Sequence, residues 1–258
     1  MLENKRIIVT GCGRGMGEAT LLAYVAAGAK VVGMDINQKL GTAVVTQANA
    51  NASDQAHFVP VDVANEQNVT EAFHKAVELL GGGLDVLAHP AAIQAASDPS
   101  EITAETWDQM FAVNVRGTML ANQAAHRHMR LTGGGSIINF GSISGQRAEP
   151  HAVAYSASKG AVHSWTRSAA AAWGADKIRV NAILPAMVTP MYREARKHMT
   201  DDQNTTAYWN NHHPIALGKA YGDPLTDLGP VMIFFASDAS HFITGQLIPV
   251  DGGQTNTR

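Results

Sequence analysis

Two hydrophobic periods alternate along this chain. Short apolar, β-branched runs mark strands, and between them lie longer stretches whose apolar residues recur every three or four positions, as on amphipathic helices. Strands are predicted over residues 6–10, 30–35, 57–62, 84–89, 136–140, 177–184 and 246–250. The first helix begins within a glycine-rich turn at 11–17 and runs to about 28. Asn37 caps a second helix through about 49, and a polar loop over 50–55 follows. A third helix starts at Asn65 and ends by the glycines at 81–83. Thr103 with Thr106 opens a long fourth helix through about 130. A fifth helix spans about 152–174, and a last one about 225–236. Strand–helix alternation at this spacing predicts βαβ units and a doubly wound α/β sheet of about seven parallel strands, covered on both faces. The regularity breaks at Pro185. Residues 187–222 read as an irregular, lid-like flap, so 1–258 is taken as a single domain with that insertion.

Composition narrows the picture only slightly. At 258 residues, 45% hydrophobic and 16% charged, the chain is an ordinary globular protein. A net charge of -3 offers no basic patch for nucleic acid, and no apolar run approaches bilayer length. Residues 1–6 run straight into the first strand, so no signal peptide is expected. The lone Cys12 excludes an internal disulfide. Both features suit a cytoplasmic setting.

Chemistry concentrates at two places. Gly11, Gly15 and Gly17 lie between a predicted strand and its helix, with Arg14 and Met16 in the same turn. Backbone N–H groups at such a turn can approach a pyrophosphate at the helix N-terminus. Asp35 ends the second strand, where a carboxylate accepts from both ribose hydroxyls and repels a 2′-phosphate. Asp35 therefore points to NAD, whereas Arg14, able to pair with that phosphate, keeps NADP open as the weaker alternative. Asp62 and Val63, after the third strand, are placed to bound the adenine. At the second place, Tyr155 and Lys159 are one helical turn apart on one face, and Ser142 ends a strand thirteen residues before Tyr155. The loop between them can bring a hydroxyl, a phenol and an ammonium around one point. A Tyr–Lys pair is common in itself; the glycine turn supplies its context. His89, His151, His212 and His213 lack the companions a metal site needs, and no metal is expected.

With Thr10-Gly-x3-Gly-x-Gly17 and Tyr155-x3-Lys159 in one chain, the sequence resembles the short-chain dehydrogenase/reductase (SDR) family over essentially its whole length. The resemblance implies a Rossmann-type fold and an NAD(P)-dependent short-chain alcohol dehydrogenase or ketoreductase. It matches Asn114, Ser142, Tyr155 and Lys159 to the family's catalytic residues. It matches 188–190, with Val188 and Pro190, to the segment that contacts the nicotinamide carboxamide, and 245–253 to the closing strand. There are two departures. His89-Pro90-Ala91-Ala92 stands where the family has Asn-Asn-Ala-Gly, and Ala186 where it has Gly. The first weakens any cofactor role carried over to His89. The second would stiffen the entrance to the flap.

The chemistry implied is hydride exchange between NAD(H) and a secondary alcohol or ketone. Tyr155 is the general acid/base. A free tyrosine titrates near 10. The Lys159 ammonium and a positive nicotinamide are expected to lower that value. Ser142 would hold the substrate oxygen, Tyr155 and Lys159 would both contact the cofactor, Lys159 at the nicotinamide ribose, and Asn114, through a water, would connect Lys159 to solvent. His151, Met191, Tyr192 and Trp209 are candidate substrate contacts, for an uncharged, mostly apolar substrate. Arg193, Arg196 and Lys197 of the flap are expected to face solvent. An NADP-dependent carbonyl reductase and a catalytically silent nucleotide-binding subunit are the alternatives; intact Ser142, Tyr155, Lys159 and Asn114 speak against the second. Small and apolar faces on the helices from 103 and 152 predict a homodimer or homotetramer.

Overall fold

The computed structural model describes residues 1–50, 55–95, 98–197 and 199–255, with residues 191, 195, 208 and 209 described by backbone only. The strands are β1 (Arg6–Thr10), β2 (Lys30–Asp35), β3 (Ala56–Pro60), β4 (Val86–His89), β5 (Gly135–Phe140), β6 (Ile178–Pro185) and β7 (Leu247–Val250). The helices are α1 (Gly15–Ala26), α2 (Gln38–Asn49), α3 (Glu66–Leu79), α4 (Ala104–Phe111), α5 (Gly117–Met129), α6 (Val153–Trp173), α7 (Pro190–Arg196), α8 (Asp201–His212) and α9 (Gly229–Ala236). All seven strands are parallel, in the order β3-β2-β1-β4-β5-β6-β7. The predicted doubly wound α/β sheet is thus the one observed. Part of the predicted 50–55 loop lies outside the described residues.

The strands are apolar at successive positions because both faces of the sheet are covered. Ile8, Leu87, Ile137 and Val180 pack with Val69, Phe73, Leu120 and Ala169 of α3, α5 and α6. Ile7, Val9, Val31 and Ile138 face the other way, onto Leu21, Tyr24, Val44 and Met232 of α1, α2 and α9. Side-chain caps fix the helix starts. Asn37 accepts from Leu40 N at 3.1 Å, Asn65 from Asn68 N at 2.9 Å, and Thr103 from Thr106 N at 3.1 Å. The strand order reverses between β1 and β4, which opens a crevice at the carboxyl edge, where sheets of this kind bind ligands.

Three stretches differ from the sequence expectation, one of them the last helix, which opens as a π turn over Pro224–Leu228 before α9. The long helix from Thr103 is interrupted by a π turn over Ala112–Arg116, between α4 and α5. The flap is not irregular, for it carries α7 and α8. Arg196 is half-buried rather than free in solvent. It donates to Asn204 Oδ1 at 3.0 Å and to the Tyr192 hydroxyl, pinning α7 to α8. The Ala186 departure is accommodated in the backbone. Its N–H donates to Val250 O at 3.0 Å, its carbonyl accepts from Gly222 N at 3.0 Å, and its φ is not positive.

The amino ends of β1 and β4 are joined by an ion pair. Arg6 donates from Nε and Nη2 to both carboxylate oxygens of Asp85, at 2.9 and 2.7 Å, and Arg6 N donates to Asp85 Oδ2 at 2.8 Å. Burial pushes the Asp85 carboxyl up, but the Arg6 contacts outweigh it and hold the group below its ordinary range. Asp85→Asn is expected to lower unfolding free energy by about 1–3 kcal/mol. Because the folded-state pKa is depressed, the wild-type advantage is present at neutral pH and is lost as pH falls below about 4. Urea melts at pH 7 and pH 3 check both statements.

Candidate active site

Gly11, Gly15 and Gly17 turn the chain from β1 into α1. Gly15 sits at φ +63°, where a side chain strains the backbone, and a Cβ on Gly17 would lie 2.0 Å from Gly11 O, which would have to move. The N-terminus of α1 borders a cavity of about 380 Å³, with the Gly15 N–H donating to Glu18 Oε2 at 3.2 Å. Its lining takes in Gly11, Arg14, Gly15, Met16 and Gly17 from the turn, Asp35 at the end of β2, and Asp62 and Val63 after β3. These are the residues the sequence singled out. Asp35 is held from both sides, accepting from Gly13 N on Oδ2 and Asn37 N on Oδ1, each at 2.8 Å. Exposed Ile36 extends the same wall. A concave site with helix N–H groups at one end and a carboxylate at the other fits a dinucleotide's pyrophosphate and adenosine ribose.

Other expectations are redistributed. His89 does not line this cavity. It is buried, with Nδ1 2.8 Å from Thr10 Oγ1, because its position on β4 points it into the sheet–helix interior. Burial, with the Lys159 charge, pushes its imidazole down to about 3. The wall is made instead by Pro90, Ala91, Ala92 and Ile93. Pro190 lines the cavity together with Thr189, and Val188 does not. Val188 instead donates its N–H to Gly222 O at 2.9 Å, at the flap base. Gln109 and Val113 also line the cavity, and no sequence signal marked them.

Beyond this wall stand Asn114, Ser142, Tyr155 and Lys159. Asn114 lies on the π turn. Its side chain accepts from Ile93 N and donates to Ile93 O, both at 2.9 Å, and donates to Ser158 Oγ at 3.0 Å. Ser158 in turn donates to Tyr155 O at 2.7 Å. A continuous chain of hydrogen bonds thus links the cavity wall to the first turn of α6. Ser142 begins the turn after β5, and its Oγ accepts from Ser144 N at 3.1 Å. The same hydroxyl stands close enough to the Tyr155 phenol to favour its ionised form. Lys159 Nζ donates to Phe140 O at 2.8 Å and lies 5.5 Å from the centre of the Tyr155 ring. The three groups converge as the spacing predicts.

The electrostatics correct one expectation. Burial pushes the Tyr155 phenol up to about 12, opposed by the nearby Ser142 hydroxyl. Lys159 does not lower it in the protein alone. Its ammonium is turned to a backbone carbonyl, and burial depresses its own value to about 8. Desolvation outweighs attraction for both groups.

Of the substrate candidates, His151 is exposed at the turn before α6. Tyr192 bonds within the flap, its hydroxyl 2.8 Å from His212 Nε2, and His212 stacks on Tyr221 at 4.5 Å between ring centres. The side chains of Met191 and Trp209 lie outside the described residues. Among the described residues, no cluster of His, Cys, Asp and Glu is arranged to hold a metal. No helix there is long and apolar enough to cross a membrane.

Sheet, glycine turn and convergent Ser–Tyr–Lys group together define a dinucleotide-binding α/β oxidoreductase. Residues 11–255 match a family model described as enoyl-(acyl carrier protein) reductase. The chain is 37% identical to the 2,5-dichloro-2,5-cyclohexadiene-1,4-diol dehydrogenase of Sphingobium indicum, over 98% of each chain. It is 34% identical to the cyclopentanol dehydrogenase of Comamonas testosteroni, again over 98% of each. A short-chain type dehydrogenase/reductase from Mycobacterium ulcerans superposes with a TM-score of 0.89 at 28% identity, covering 98% of this chain and 90% of that one. The chain belongs to the short-chain dehydrogenase/reductase family, whose dehydrogenases use NAD or NADP.

Proposed function

We propose that this protein is an NAD-dependent dehydrogenase of small or medium secondary alcohols, with Tyr155 as general acid/base. The observation that carries the reading is the convergence of the Ser142 hydroxyl, the Tyr155 phenol and the Lys159 ammonium beside a dinucleotide-shaped cavity. The relatives named for cyclopentanol and a cyclohexadienediol support secondary alcohols as the substrate class.

NAD, when bound, supplies the two-electron acceptor. The remaining work falls to the chain. Ser142 Oγ holds the substrate oxygen by hydrogen bond. Tyr155 Oη takes the alcohol proton in oxidation and returns it in carbonyl reduction. Tyr155 lies in the first turn of α6, where the helix N-terminus favours a phenolate. Lys159 supplies the nearby positive charge and reaches the nicotinamide ribose. Asn114 holds the π turn against Ile93 and α6, which keeps the relay from Lys159 toward solvent in register. The flap over 187–222 acts as a lid on a single domain. Its base is stitched by the Met187–Gly222 bridge, and its interior is cemented by Tyr192, His212 and Tyr221.

Asp35 supports NAD over NADP, because a fixed carboxylate at the cavity end repels a 2′-phosphate. Juxtaposed like charges cost several kcal/mol, so Asp35→Asn should shift the ratio of kcat/KM for NAD against NADP by about tenfold or more toward NADP. A wild type that already prefers NADP would overturn the assignment. Purified protein offered both dinucleotides and a panel of secondary alcohols, read by nicotinamide absorbance, tests the activity. It also separates this reading from a carbonyl reductase and from a silent subunit.

Homo-oligomerisation belongs to the same reading. A groove on α4, α5 and α6, lined by Phe111, Val115, Met119, Val162 and Trp165, together with part-exposed Trp107, leaves an apolar face for a second copy. Light scattering at micromolar concentration should give a dimer or tetramer, and a monomer would refute it.

A further inference from the structure

Tyr155, Lys159 and His163 recur every four residues and share one face of α6. The first two belong to the proposed reaction, whereas the third has no part in it so far. His163 is only 3% exposed. Ser142 N–H donates to His163 Nε2 at 3.3 Å. No backbone carbonyl takes that N–H among the described residues. The loop closes on the ring at two more positions. A Cβ on Gly141 would lie 2.5 Å from His163 Nε2, and one on Gly145 would lie 2.7 Å from Cε1. The imidazole therefore occupies the space that side chains at 141 and 145 would need, and the turn after β5 is wrapped around it.

A ring nitrogen that accepts a hydrogen bond carries no proton, so in neutral His163 the proton sits on Nδ1. Burial, reinforced by the charges of Lys159 and Arg167, holds the imidazole down at about 4, so it stays a neutral acceptor at working pH. An apolar side chain of similar volume would fill the site. It would also leave the Ser142 N–H buried with nothing to accept it.

We propose that His163 is a positioning residue for Ser142, a buried imidazole acceptor that fixes the serine backbone and so aims its hydroxyl at the Tyr155 phenol and the substrate oxygen. This rests on the reading of Ser142 and Tyr155 as the reacting pair. His163 touches neither substrate nor cofactor and acts through the loop alone.

His163→Gln can place an amide oxygen where Nε2 stands, while His163→Met fills the space without a comparable acceptor. Amide hydrogen exchange over residues 139–150 should be faster in His163→Met and near wild type in His163→Gln. With NAD and a responsive secondary alcohol, His163→Met should lose about tenfold to a hundredfold in kcat, the scale of a small misplacement, with KM for NAD unchanged. His163→Gln should keep most of that activity. In a Ser142→Ala background, His163→Met should cost nothing further. Independent, multiplicative losses would mean that the ring is only scaffold, and equal losses in the Gln and Met variants would mean that the acceptor is irrelevant. Either result overturns the proposal, as does unchanged exchange in His163→Met. Should the Met variant fail to fold, 15N spectra of histidine-labelled wild type decide. The resonance lost in His163→Gln must report the Nδ1–H tautomer, and an Nε2–H tautomer refutes it. Exchange and tautomer do not depend on turnover. A protein inactive on every alcohol would sink the functional reading and leave these two measurements to judge His163.

Discussion

Tyr155→Phe is expected to lower turnover of secondary alcohols by roughly a hundredfold or more, the scale for removing a general acid/base. The substitution deletes one oxygen and keeps the ring. The cavity walled by the glycine turn and Asp35 is unchanged, since Tyr155 is not part of its lining, and Lys159 stays in place for the nicotinamide ribose. NAD affinity, measured by fluorescence titration, should therefore stay near wild type. The phenol that is removed is pushed up to about 12 by burial in the protein alone. Oxidation requires it to lose its proton, so wild-type turnover in the alcohol direction should rise with pH through the neutral and alkaline range. Carbonyl reduction, which needs the protonated phenol, should not rise in the same way. The Phe variant should show neither dependence. Retention of most activity by Tyr155→Phe would remove Tyr155 from the mechanism.

The sequence carried the sheet because its signals there are local. β1 and β2 fall on the predicted residues, and the asparagine caps before α2 and α3 bond as their positions suggest. The glycine turn was legible for the same reason, since a Gly17 Cβ has no room whatever the rest of the fold does. The π turn at 112–116 was not legible. Its residues continue a helical pattern, and the extra residue is seen only once Asn114 is found bonded to Ile93. Helix α8 was missed because Asp201–His212 is polar on most faces and shows no apolar stripe. Its helicity depends on contacts such as Arg196 with Asn204, which no period reveals. His163 is an intermediate case. Its four-residue spacing from Lys159 was in plain view, but its use as an acceptor depends on a loop that folds back from β5.

The Tyr155 phenol illustrates a different loss. Sequence spacing reports which groups are neighbours and not how much water they keep. Lys159 was expected to lower the phenol, and burial of both groups instead drives each toward its neutral form. The site is therefore electrostatically costly to assemble, and that cost is measurable.

Lys159→Met is expected to abolish most activity while leaving thermal stability equal to or above wild type. Lys159 is 4% exposed, it donates to Phe140 O, and no ion pair to it is present among the described residues. A buried, unpaired ammonium opposes folding, and an apolar side chain of similar length removes that opposition. Turnover should fall by about a hundredfold or more, because the group that reaches the nicotinamide ribose and sets the cofactor beside Tyr155 in the proposed reaction is gone. The pH dependence separates this explanation from simple repacking. Burial lowers the folded-state value to about 8 from 10.5. The penalty for the charged lysine is thus fully present below about pH 8 and fades as pH rises toward 10.5, where the unfolded chain also gives up its proton. The stability advantage of Lys159→Met over wild type should be largest at pH 7 and should shrink by pH 10, as read by urea melts at both values. A variant less stable than wild type at pH 7, or a gap that widens with pH, would show that Lys159 is held by interactions strong enough to repay its burial.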